Sequence, residues 1–166
     1  MCRAESLDRT RAGRVRFQFK RHWPPSSVSS VVRRRYFAVS TTSPSLHQDD
    51  ITVKGRVAVW IGSFTDELQA DDYLNLDRGF ERDFGFRVSD RRGPEVTVKP
   101  EPVSIRELVE GFSFWQSYAD AVVAEAETAG IATASTMLVF QCVEFDPRRF
   151  SVNSSAPMRF LGNFDL

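Results

Sequence analysis

Between residue 51 and the C-terminus the chain has no histidine; its two, His22 and His47, both fall in the first fifty residues. That absence excludes from this stretch the imidazole base of triads and dyads, and histidine-ligated zinc. Lysine is nearly as scarce, with only Lys54 and Lys99 beyond residue 50, a thin basis for lysine catalysis. The two cysteines, Cys2 and Cys142, make no disulfide framework. Cys142 sits in an apolar run and is expected to be an inert buried thiol. No apolar stretch approaches the roughly 18 residues of a membrane span, and no secretory core follows Met1. A cytoplasmic protein with no membrane partner is therefore expected. The spacing of Gly79, Gly85 and Gly93 matches neither phosphate-loop pattern. No cofactor, no metal and no catalytic residue is expected. An enzyme is disfavoured, and a small carboxylate-dependent enzyme, using acids such as Asp71 and Asp72, is one alternative.

What is present is charge, unevenly placed. Residues 1–50 carry 10 Lys/Arg against 4 Asp/Glu, and residues 51–166 carry 12 against 18, so a balanced chain divides into a +6 arm and a −6 domain. The arm holds Trp23-Pro24-Pro25, a Ser-rich run from Ser26 to Ser30 and Arg33-Arg34-Arg35, without sustained periodicity. So little apolar material cannot offset chain entropy, which predicts disorder. Translated upstream sequence, a mitochondrial-type presequence and a nucleic-acid-binding tail all fit that composition. A nucleic-acid adaptor acting through the arm is the second alternative, although the acidic domain would repel the same polyanion. For the domain itself nucleic acid is not an expected partner.

The domain, residues 51–166, reads as strand, helix, strand, helices, strand, strand. Arg56 to Ile61 is apolar on both faces, which predicts a central strand. Thr65 is the expected N-cap of an acidic helix, with Asp66 and Glu67 in its first turn and Asp71 and Asp72 on the same outer side. Leu68, Tyr73, Leu74 and Leu76 are assigned to its buried side. A short helical piece follows within 77–86. Glu95 to Lys99 alternates as a strand, with Pro100 and Pro102 ending it. Capping boxes at Ser104 and Ser113 predict helices over 104–110 and 113–129, with Gly130 as the stop. Ile105, Leu108, Phe112, Trp115, Ala119, Val122 and Ala126 form one seam at helical spacing, and are read as core. Thr136 to Phe145 is a second central strand, the stretch through Pro157 a loop, and Met158 to Phe164 the last strand. The class is α+β: a small mixed or antiparallel sheet of about four strands covered by helices.

Two near-matching pentapeptides bracket the domain: Trp60-Ile61-Gly62-Ser63-Phe64 and Phe160-Leu161-Gly162-Asn163-Phe164. Each is an apolar strand end, a glycine, a small polar residue and a phenylalanine. They are expected to lie side by side, the glycines marking a bulge or a close backbone approach. Trp60, Gly62, Phe64, Trp115, Phe160, Gly162 and Phe164 are accordingly structural candidates.

Val57 to Phe64 with the acidic helix and Tyr73-Leu74 resembles the opening of a bacterial family, Imm22, the small immunity proteins of polymorphic toxin systems. The order continues through Asp83-Phe84-Gly85-Phe86, the helix start at Ser104, Ser113-Phe114, Gly130-Ile131, the strand Met137 to Phe145 and the closing pentapeptide. The likeness covers nearly all of 55–164. Ser89-Asp90-Arg91-Arg92 stands where the family often carries acidic and aromatic residues, and the arm has no counterpart. The resemblance implies stoichiometric binding and neutralisation of a cognate toxin domain, without turnover. With the domain acidic, Asp66, Glu67, Asp71 and Asp72 are the candidate partner-binding residues, facing a basic partner such as a nuclease.

Overall fold

The computed structural model describes residues 46–89 and 92–166. Its centre is a four-stranded antiparallel sheet built from β2 (Thr52–Gly62), β4 (Glu95–Ser104), β5 (Thr133–Val143) and β6 (Met158–Asp165), in the order β4-β5-β2-β6. The two strands that are apolar on both faces take the two central places. Val57, Val59 and Ile61 point to one face, and Ala58 and Trp60 to the other. The class is α+β, as expected. A two-residue parallel pair, β1 (Leu46–His47) with β3 (Phe86–Arg87), lies apart from this sheet.

One face packs on α3 (Ile105–Val109) and α4 (Trp115–Thr128). The seam read from the sequence is the buried one: Ile105, Leu108, Phe112, Ala119, Val122 and Ala126 all join that core, and Trp115 packs against it. Gly130, at φ 72, stops the helix as expected. Ser104 caps α3, its hydroxyl accepting from the Glu107 N–H at 3.2 Å. The second capping box does not form. The Ser113 N–H instead donates to Glu95 Oε2, and α4 begins after Phe114, which is left-handed at φ 59. The opposite face is aromatic. Trp60 is fully buried with the rings of Phe80, Phe84, Phe86, Phe140, Phe145 and Phe160 centred 4.9–6.0 Å away. Truncating such a residue costs about 3–5 kcal/mol. Its indole N–H has no hydrogen-bond partner among the described residues.

Several boundaries differ from the sequence reading. The fold takes in residues placed in the arm: Leu46–His47 pairs with Phe86–Arg87, and Gln48 is buried, donating to the Arg92 carbonyl and accepting from the Ser89 N–H. The remaining arm features, through residue 45, lie outside the described residues. Strand β4 runs through Pro100 and Pro102 instead of ending there. It is an edge strand, where a missing N–H can face outward, and its pairing lapses between Val98 and Val103. Cys142 is only partly buried, not buried as expected, and its backbone is left-handed at φ 56 within β5. It stands where the β2–β5 register shifts between Thr52 and Val57.

The two pentapeptides do lie side by side, on β2 and β6, with Trp60 opposite Phe160. Between Val59 and Trp60 the register shifts by one residue, since Val59 faces Gly162 while Trp60 faces Phe160. Side chains alternate with a period of two, so the extra residue switches the strand's facing. Met158 and Phe160 sit in the aromatic core, whereas Leu161 and Phe164 sit under the helices. Gly62 lies opposite Met158 at a close approach, where a Cβ would stand 2.2 Å from the Met158 sulfur and 2.9 Å from the Pro157 carbonyl oxygen. The glycines thus mark a bulge at one end and a close contact at the other.

Candidate functional site

The acidic helix is built differently from its expected form, and that decides what it shows to solvent. Its α-helical part is α1 (Glu67–Asp71), capped not by Thr65 but by Asp66, whose carboxylate accepts from the Leu68 N–H at 2.8 Å. Asp72–Leu76 continues it as a π turn, in which the Asp77 N–H reaches the Asp72 carbonyl at 2.8 Å. A π turn carries more residues per turn than an α turn and so advances less per residue. That rotates Leu76 back toward the side already occupied by Leu68.

Burial agrees with this winding. Ala70 and Tyr73 are buried and Leu74 packs partly into the aromatic core, whereas Leu68 is 72% and Leu76 75% exposed. Leu68 and Leu76 were expected in the core and are not there. Of the four acids, Asp66, Glu67 and Asp72 are exposed and Asp71 is half-buried. They are not equivalent. Asp66 is committed to the cap, and Asp71 accepts from the Asn75 side chain. The carboxylates of Glu67 and Asp72 have no hydrogen-bond or ion-pair partner among the described residues. The outward face is therefore two leucines with acids beside them, Asp77 following at the end and then Arg78, both exposed.

The spacing held the signal for this face. Ala70, Tyr73 and Leu74 stand at i, i+3 and i+4, the pattern of one buried side, and it leaves out Leu68 and Leu76.

Behind the helix is a polar cluster around a buried carboxylate, not singled out in the sequence. The Tyr73 hydroxyl donates to Asp83 Oδ2 at 2.8 Å, and the Asn153 side chain donates to Asp83 Oδ1 at 2.9 Å. The Asn153 N–H also donates to the Asp83 carbonyl at 2.9 Å. Asp83 lies on α2 (Gly79–Phe84) and is 2% exposed. Burial, followed by the hydrogen bond to Asp83 and its negative charge, pushes the Tyr73 phenol well above its ordinary range. It stays protonated at physiological pH and is a hydrogen-bond donor, not a base. The cluster ties the π turn, α2 and the 151–157 loop together, and closes over its carboxylate.

Other structural candidates fall in the two cores. Phe64 packs on Tyr73 with ring centroids 5.3 Å apart, and its carbonyl accepts from the Thr136 hydroxyl. Phe164 is 8% exposed, and a Cβ on Gly162 would meet its ring at 3.1 Å. Among the described residues no group of three or more His, Cys, Asp or Glu is placed to hold a metal ion, and no helix is long and apolar enough to cross a membrane. No protein-family model, curated protein or solved structure matches the chain.

Proposed function

We propose that this protein is an immunity protein, acting in the cytoplasm, that binds a cognate toxin domain one-to-one and blocks it, with the outward face of the 67–76 helix as its docking surface. The observation that carries the proposal is the exposure of Leu68 and Leu76 at 72% and 75% beside Glu67 and Asp72. Exposed leucines provide the apolar centre of an interface, and acids around them provide complementarity and steering toward a basic surface. A nuclease toxin presents such a surface, because its substrate groove must attract phosphate. The Imm22-like motifs support the functional class, and the exposed leucines support the helix face as the location.

The sheet edges favour a side-chain interface over added strands. Strand β4 carries two prolines and β6 a bulge and an exposed Arg159, devices that discourage edge pairing. The test is co-expression with a toxin domain encoded beside this gene. We expect protection of the cells and a 1:1 complex on titration calorimetry, both weakened in the Leu68→Ala/Leu76→Ala double variant. Protection that needs catalytic turnover, or that survives this variant unchanged, would contradict the proposal.

A further inference from the structure

We propose that the basic N-terminal segment of this same chain, through Arg33-Arg34-Arg35-Tyr36-Phe37, docks on the leucine-bearing face of the 67–76 helix and occupies it until a protein partner displaces it. The inference rests on the preceding reading only in taking that face as the partner's site. Charge points to this occupant. Residues 1–45 carry 10 Lys/Arg and 2 Asp/Glu, and residues 46–166 carry 12 and 20, so segment and domain stand at +8 and −8. Composition points the same way. Three guanidinium groups followed by two aromatic rings match a surface of acids set beside two leucines. Arg78, just past the helix, confines the attractive part of the surface to the Glu67–Asp72 side.

The tether permits it. The described chain begins at Leu46, which packs on the aromatic face of the sheet, the face that also carries Tyr73 and Leu74 of the helix. Eight residues separate Phe37 from Leu46, a reach of up to about 30 Å over the nine steps between them. A domain of this size has a radius of gyration of about 14 Å, and Leu46 shares one aromatic core with Tyr73 and Leu74 of the helix, so the span to be crossed is of the same order as that reach. A short tether gives an effective concentration in the millimolar range. Exposed ion pairs contribute at most about 1 kcal/mol each. The contact is thus formed in the free protein and readily exchanged for a tighter partner. A second copy docking by its own helix would bring acids against acids.

The experiment uses the full-length chain with methyl-labelled leucine, compared with the Arg33→Glu/Arg34→Glu/Arg35→Glu variant by NMR. In the wild type we expect the Leu68 and Leu76 methyl signals to move as salt rises from about 0.02 to 0.5 M and the Debye length contracts. In the variant they should sit at the high-salt position throughout. Identical signals in the two proteins at low salt would overturn the proposal. So would a perturbation that grows with protein concentration, which would mean that the segment reaches a second copy. Either failure leaves partner binding by Leu68 and Leu76 standing, since that is measured separately on the double-alanine variant.

Discussion

Replacing Tyr73 with phenylalanine removes one oxygen from the interior and keeps the ring that packs on Phe64 and Phe80. The change leaves Asp83 Oδ2 without its donor in a site where the residue is 2% exposed. A hydrogen bond to a charged group contributes about 1.5–3 kcal/mol, and a buried acceptor left unpaired costs about as much. We therefore expect Tyr73→Phe to lower stability by about 2 kcal/mol near neutral pH. At about 4 °C per kcal/mol for a domain of this size, melting should fall by about 8 °C. The pH dependence gives a second reading. The phenol is raised in the folded state, so above about pH 10 the unfolded chain loses its proton while the folded one keeps it. Tyr73's contribution is then fully present below the unfolded value and lost as pH rises, by up to about 1.4 kcal/mol per pH unit. Chemical denaturation of both proteins from pH 7 to 11 should show the gap between them closing above pH 10. A variant within about 0.5 kcal/mol of wild type at pH 7, or a gap constant to pH 11, would refute the buried-donor argument.

Gly162→Val should destabilise by about 2 kcal/mol, because its Cβ starts 3.1 Å from the Phe164 ring. If it melts like the wild type yet loses partner binding, the glycine belongs to an interface and not to the bulge. Deleting residues 1–45 should leave the melting temperature within about 5 °C, roughly 1 kcal/mol. Deleting through Ile51 should lower it further, since Gln48 and Ile51 are buried; equal melts for the two truncations would contradict a stabilising role for those two side chains.

The sheet was legible because its central strands are apolar on both faces, and the α3–α4 seam because its spacing is helical without interruption. The errors have local causes. Proline in a strand was read as a terminator, although at the edge a missing N–H harms nothing. Ser113 has the composition of a capping residue, but Glu95 takes its N–H and Phe114 turns left-handed before α4 begins. Gln48 gave no signal at all. Its burial depends on Ser89 and Arg92, about forty residues away. The candidate site was half legible: its acids were named, its leucines were assigned to the core. A π turn cannot be read from composition, and grouping Leu68 and Leu76 with Tyr73 and Leu74 overlooked the Ala70, Tyr73, Leu74 spacing that leaves both leucines out. The Asp83 cluster was missed because its partners, Tyr73 and Asn153, are 10 and 70 residues distant.

The most direct measurement of the docking surface is stopped-flow association with the toxin domain, for the wild type and for the Glu67→Lys/Asp72→Lys variant. These two acids are the informative ones, because reversing Asp66 would also remove the cap and reversing Asp71 its bond to Asn75. We expect association to slow by about tenfold at low salt, with much smaller change in dissociation and a difference that fades as salt approaches about 1 M. Unchanged association at low salt would place the interface elsewhere on the molecule and contradict the reading of the 67–76 helix.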